Sequence, residues 1–309
     1  MILQKKCKYI MVYKSNYDVI HDYIESLCLF DEILEFDIFL QKSSIYLNCN
    51  EYVVIFTNMW FSPDDVLMVS KNIIFLNVEH LTESTRMNHI VDLIRKGISI
   101  ADFSSVNIKM LKMFAYENDI STKNVEFYHL PYQFNVEEQK RLQISPNAYE
   151  YDIGVINAIP KIDGNIENIR TTLWEKLKKT NLRIKNIMGW KNERDELINK
   201  CKIILNIHNF DSFNIFEHVR CDRLLFSNKL VLSQVSLDAT SLDIYNNVIW
   251  ICYDDNIIQN IHFVVDNFEE LKRKYANETD IIGIAVNRGI QLQNTVYEIE
   301  NKYLLEYLV

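Results

Sequence analysis

Glycine and proline are scarce in this chain, 6 and 4 among 309 residues. The dinucleotide and P-loop fingerprints need closely spaced glycines for a tight turn and for backbone approach to phosphate, so both are excluded. Cysteine is thin as well. Cys7, Cys28, Cys49, Cys201, Cys221 and Cys252 stand singly with no C-x-x-C pair, which reads as reduced, buried thiols rather than a zinc site or a disulfide framework. No positive excess exists either: 33 Lys and Arg against 42 Asp and Glu leave a net charge of -9, the wrong sign for neutralising nucleic-acid phosphates. No run approaches the roughly 18 to 20 apolar residues of a membrane span. The opening MILQKKCKYIMVY reads as a first strand with basic flanks rather than a signal peptide. These absences lead us to expect an intracellular, cytoplasmic protein with no nucleic-acid partner and no membrane span. A D-x-D motif is missing, and the 7 histidines form no H-x-x-x-H pair. The adjacent acids Asp64-Asp65 and Asp254-Asp255 read as a helix start and a loop, so neither a metal nor a separate cofactor is expected.

What is present is an ordinary globular composition, 48% apolar and 24% charged, in a length that favours two domains with a core each. Strands are read at residues 7–13, 53–57, 73–78, 98–101 and 125–130, and helices at 17–40 (one or two), 62–70, 83–96 and 106–118. Ser62-Pro63-Asp64-Asp65 announces the 62–70 helix with an N-cap, a proline at the first helical position and acids in the first turn. A polar stretch at 134–149, with Pro146 and Asn147, reads as a linker. Strands follow at 151–156, 183–188, 203–207, 230–233 and 248–253, with helices ending near 178, at 192–200 and at 215–226. Two C-terminal helices are expected at 256–275 and 283–308. The alternation predicts an α/β protein of two Rossmann-like, doubly wound parallel-sheet domains, at 1–140 and 150–309, the second carrying the C-terminal helices.

The most informative stretch is 202–234. A short β-branched run ends in His208, Asn209, Asp211, Ser212 and Asn214, polar residues at the carboxyl end of a strand, where open α/β sheets place their ligands. Residues 215–226 then space Phe216, Val219, Leu224 and Leu225 three and four apart, predicting an amphipathic helix with Glu217 in its first turn, before a second apolar strand. This βαβ unit resembles the nucleotide-binding half of GT-B glycosyltransferases, especially bacterial and large-virus members. The matching residues are Lys202, Leu205, Asn206, Ile207, His208, Phe210, Asp211, Glu217, Arg220, Lys229, Val231 and Ser233. The first half adds three shorter matches in order: Asn77, Glu79 and His80; Asp102, Phe103, Ser104 and Asn107; Leu130 and Pro131. The abundance of Asn, Ile and Lys is that of an A+T-rich genome, compatible with a large DNA virus or a bacterium.

The resemblance implies two sheets facing a cleft. It implies a nucleotide-sugar donor, UDP- or GDP-linked, held mainly by residues 151–260, and a glycan or other hydroxyl acceptor held by 1–135. Glu217 would accept hydrogen bonds from the ribose, and Asn209, Asp211, Asn214, Ile215 and Phe216 would face the diphosphate and sugar. Asn157 and Lys161 would lie in a phosphate-facing turn before a helix, where free N–H groups attract anions. Gly189 and Trp190 would lie by the base and Arg220 by the diphosphate, while Glu79, His80 and His208 are the catalytic candidates. The implied activity is metal-independent hexosyl transfer; the alternative is a non-catalytic nucleotide-sugar or glycan-binding protein on the same fold. Two departures leave the stereochemistry open: Gln234 stands where Glu is common, and Asn209 stands eight residues before Glu217. The residues also admit plainer readings. A carboxylate at a helix start gains about 0.3 to 1 kcal/mol from the dipole whatever its function. Arg220 can simply pair with Glu217 one turn away, Arg223 reads as solvated, Trp190 as core, and His208 as a turn residue. Tyr303, Leu304, Tyr307 and Leu308 suit a last helix that returns to the first domain.

Overall fold

The computed structural model describes residues 5–14, 17–47, 51–57, 61, 72–81, 84–143, 149–156, 169–208, 214–239, 248–278 and 280–305. The chain divides into two compact units, Met1–Gln133 with Ala285–Val309, and Phe134–Ile284.

The first unit holds β1 (Lys8–Tyr13), α1 (Tyr17–Leu27), β2 (Glu32–Glu35), α2 (Phe36–Leu47), β3 (Tyr52–Thr57), β4 (Ile73–Asn77), α3 (Ser84–Arg95), β5 (Ser99–Asp102), α4 (Ser105–Glu117) and β6 (Phe127–His129). Its six strands form one sheet in the order β2-β1-β3-β4-β5-β6 with parallel pairing throughout. Every residue of β4 is buried, as a strand covered on both faces demands. Phe56, Phe75, Ile90, Leu93, Ile100 and Leu111 share one core. The reading of 17–40 as helix alone is corrected, because β2 interrupts it. Four residues with a glutamate at each end, two of them exposed at the sheet edge, leave no period to read. The 62–70 helix lies outside the described residues.

The second unit holds α5 (Val136–Leu142), β7 (Tyr151–Ile156), α6 (Ile169–Leu177), β8 (Ile184–Ile187), α7 (Lys191–Asn199), β9 (Cys201–Asn206), α8 (His218–Phe226), β10 (Leu230–Gln234), β11 (Val248–Ile251), α9 (Ile257–Asp266) and α10 (Phe268–Glu278). Its five strands are parallel in the order β11-β10-β9-β7-β8. Alternate residues serve opposite faces: Ile153, Ile203 and Leu232 pack under α6 and α9, whereas Ile204 and Val231 pack with Leu224 and Leu225 of α8. Gly154 in β7 has no room for a side chain, since a Cβ there would lie 2.6 Å from Ile187 Cδ1 and 2.7 Å from Cys201 Sγ.

Three further expectations need correction. The stretch 134–149 is no bare linker, for it carries α5, whose Asn135 Oδ1 accepts from the amides of Glu137 and Glu138 at 3.0 and 3.2 Å. Arg223 is buried rather than solvated. It donates to Glu138 at 2.6 Å and to Asp195 at 2.7 Å, joining α5 and α7 to α8. Thirdly, α11 (Ile281–Leu305) belongs from Ala285 onward to the first unit, not to a 150–309 domain. There Arg288 donates to Tyr132 O at 2.8 Å, Thr295 to His129 O at 3.0 Å and Tyr303 to Ile73 O at 3.1 Å. Glu300 accepts from the amides of Lys6 and Cys7 at 2.6 and 3.0 Å. Tyr307 and Leu308 lie outside the described residues, as does the side chain of Leu304. Of the cysteines, Cys7, Cys201 and Cys221 are buried free thiols, while Cys28 and Cys252 are exposed. No helix among the described residues is long and apolar enough to cross a membrane.

Candidate functional site

Two strand ends and two helices of the second unit meet where β9 stops. Asn206 closes β9, and its Nδ2 donates to Ser233 Oγ on β10 at 3.0 Å. The next carbonyl, Ile207 O, accepts two bonds from Arg170 on α6, at 2.9 Å from Nε and 2.8 Å from Nη2. The same Nη2 reaches Glu217 Oε1 at 3.2 Å. Glu217 is the N-cap of α8, yet its side chain makes no capping bond. Its other oxygen pairs instead with Arg220 Nη1 at 2.5 Å, and that nitrogen also donates to Asn206 Oδ1 at 3.3 Å. The carboxylate is therefore held between two guanidinium groups, one buried and one at the surface: side-chain exposure is 4% for Arg170 and 22% for Arg220. Burial, then the neighbouring Arg220 charge, lowers the Arg170 pKa to about 10, with Glu217 opposing; it stays a cation at neutral pH.

The motif brings His208, Glu217 and Arg220 to one strand edge. His208 is buried, its amide donates to Gln234 Oε1 at 3.2 Å, and its Nε2 shares a hydrogen bond with Ser236 Oγ at 3.2 Å. Burial lowers its pKa, so it is a neutral imidazole and brings no positive charge to a diphosphate. Gln234, the departure from the family pattern, spends its side-chain oxygen on that amide. Ile215 and Phe216 are fully buried. The Phe216 ring packs on His218 and Trp250, and its amide is taken by Asp238 Oδ1 at 2.9 Å, so these two are core residues rather than surfaces for a ligand. Asn214 gives its carbonyl to Leu237 N at 2.7 Å. Behind this loop lies a group the motif did not reveal. His218 faces Asp222 at 3.2 Å through Nδ1 and Asp238 at 3.6 Å through Nε2. Burial alone would lower the His218 pKa, but the two aspartates outweigh it and hold it up at about 9.

Gly189 and Trp190 follow β8 at the same edge of the sheet, with β7 between β8 and β9. Gly189 takes φ +92°, a left-handed conformation that suits glycine. Trp190 precedes α7 without a capping bond and is 38% exposed, so it is not the core residue its position after a strand suggested. Asn157, Lys161, Asn209 and Asp211 lie outside the described residues.

In the first unit, Glu79 and His80 follow β4, and the Glu79 backbone belongs to a polar network. Asp102 at the end of β5 accepts from Asn77 at 2.7 Å, Asn107 at 3.1 Å and the Ser104 amide at 2.7 Å. Asn77 and Asn107 in turn donate to the Glu79 carbonyl at 2.8 and 3.0 Å. The Glu79 carboxylate pairs with Arg86 at 2.7 Å and is 40% exposed, while His80 is buried. The N-x-E-H and D-F-S-x-x-N segments are thus two halves of one network.

Arg170 is the principal residue that sequence reasoning missed. A signal was available, since it occupies the apolar stripe of α6 with Leu173, Trp174 and Leu177, where a charge must find a buried partner.

The architecture is that of GT-B glycosyltransferases. Among solved structures the chain is similar to Anabaena Alr3699/HepE in complex with UDP-glucose, with a TM-score of 0.54 and 9% identity over 93% of this chain and 99% of that one. It is similar also to sucrose-phosphate synthase of Thermosynechococcus elongatus, with a TM-score of 0.50 and 9% identity over 97% and 98%. At such identities the likeness is one of fold. In sequence it is 29% identical to uncharacterized protein L137 of Acanthamoeba polyphaga mimivirus, over 83% of this chain but only 33% of that protein. It is 27% identical to L140 of the same virus, over 93% of this chain and 87% of that protein. No protein-family model matches the chain.

Proposed function

We propose that the protein is a glycosyltransferase that moves a hexosyl group from a nucleotide sugar to a hydroxyl acceptor, with the nucleotide held at the end of β9. The observation that carries this reading is the Glu217 carboxylate, standing at a helix N-cap without capping the helix and fixed instead by Arg170 and Arg220. A carboxylate held in place at a strand end is an acceptor for hydroxyl donors such as those of a ribose. The GT-B fold supports the reading. Because the HepE structure contains UDP-glucose, UDP-linked sugars are the first donors to try, followed by GDP-linked ones.

In this scheme the acceptor oxygen bonds to the anomeric carbon as the bond from that carbon to the diphosphate oxygen breaks. Negative charge develops on the departing diphosphate, and Arg220 is the partly exposed cation that would neutralise it without a metal ion. The acceptor proton would pass to a general base.

A thermal-shift screen of nucleotides and nucleotide sugars tests the proposal, followed by an assay for nucleotide release from the donor that binds. Stabilisation by one nucleotide class, with release accelerated by a sugar or glycan acceptor, is the expected result. A folded protein indifferent to every nucleotide sugar would overturn it.

A further inference from the structure

A cavity of about 250 Å³ opens at the other end of the second sheet, next to Tyr149, Lys202, Ser227, Asn228, Lys229 and Lys272. It lies at the start of β9 and β10, whereas Glu217 stands beyond their far ends. From Lys202 to Asn206 the strand advances roughly 13 Å, so the two places are separate. Three ammonium groups border the cavity. Lys202 is balanced by Asp152 at 2.9 Å. Lys272 donates to Tyr149 Oη at 2.9 Å and lies against the Phe268 ring. Neither Lys229 nor Lys272 has a carboxylate partner among the described residues. The C-terminus of α8 favours a neighbouring cation, but two ammonium groups sharing one cavity exceed that demand. Burial first, and the Lys272 charge second, bring the Lys229 ammonium down to about 8. Ser227 beside them is buried, and its Oγ has no hydrogen-bond partner among the described residues.

We infer that this cavity is a binding site for a phosphate dianion, with Lys229 and Lys272 supplying the opposing charges. A dianion matches the two unbalanced cations in number and relieves their repulsion. The volume falls just under the roughly 300 Å³ at which pockets for larger organic ligands begin, so the occupant is inorganic phosphate or the phosphate group of a small monoester. The inference does not depend on the proposed transferase activity.

The test is calorimetric titration of the full chain, in phosphate-free buffer, with inorganic phosphate and separately with glycerol 3-phosphate. One saturable site per chain is expected, weakened at least tenfold by Lys272→Gln, which removes a charged donor from a half-buried position. Lys229→Met, which keeps the buried stem, should weaken binding as much. Thermal unfolding checks that each variant is folded. Tighter binding of glycerol 3-phosphate would identify a monoester as the ligand, and equal or tighter binding of inorganic phosphate would identify the free ion. The inference fails if neither probe saturates the folded wild type, or if a folded Lys229→Met/Lys272→Gln double variant binds as tightly as wild type.

Discussion

Replacing Glu217 by alanine removes the counter-charge from a guanidinium that water barely reaches. If the carboxylate served only the helix dipole, its loss would cost about 0.3 to 1 kcal/mol. Removing one partner of a buried ion pair costs roughly 3 to 5 kcal/mol. The present case falls below that range, because Arg170 keeps two bonds to Ile207 O and the Glu217 side chain is itself 13% exposed. We therefore expect about 2 to 3 kcal/mol of lost stability for Glu217→Ala, and less for Glu217→Gln, whose amide oxygen still accepts from one arginine. Urea denaturation of wild type, Glu217→Gln, Arg170→Met and the double variant gives the coupling directly, and neighbours that interact should show about 1 to 3 kcal/mol. Titration with UDP and GDP on the same proteins reads the functional side. Loss of charge-assisted bonds to ribose should weaken binding roughly tenfold to a hundredfold. A stability loss under about 1 kcal/mol in Glu217→Ala, with an unchanged denaturant slope and unchanged nucleotide affinity, would show the carboxylate to be a dipole partner only and refute the clamp.

His218 should make stability depend on pH. Its pKa stands at about 9 in the folded protein against an ordinary 6.5, so its contribution is complete below pH 6.5 and is lost as pH rises toward 9. About 2 kcal/mol should disappear between pH 6 and 8. Denaturation of wild type against His218→Gln at both values checks this, the difference cancelling Lys229, which titrates in the opposite sense above its pKa of about 8. Arg223→Met should destabilise by about 3 kcal/mol or more, because it leaves Glu138 and Asp195 buried without their shared cation; an unchanged denaturation midpoint would contradict the ion-pair account. Finally, release of nucleotide from the donor should survive EDTA. Complete loss restored by Mn²⁺ or Mg²⁺ would mean that Arg220 and the helix starts do not suffice for the leaving group.

Local spacing was enough to find most of the strands, because β-branched runs such as those of β3, β4 and β9 are chemically marked when both faces are buried. It was enough as well to place Glu217 and Arg220 one helical turn apart beyond the carboxyl end of β9. It failed where the signal was short or mixed, as in the four residues of β2 and in α5, whose capping Asn135 sat unnoticed in a polar stretch. Tertiary structure alone decided the rest. Spacing within β7, β8 and β9 says nothing of their neighbours, and only the folded sheet places β7 beside both of the others. Arg170 meets Glu217 across 47 positions, and Arg223 meets Glu138 across 85. A buried charge announces that it needs a partner, but parallel crossovers bring distant strand ends together, and which carboxylate answers depends on that three-dimensional placement. For α11 the aromatic and apolar residues near its end suggested a return to the first domain, and its place there is fixed by carbonyls of β4, β6 and the segment after β6 and by the amides just before β1.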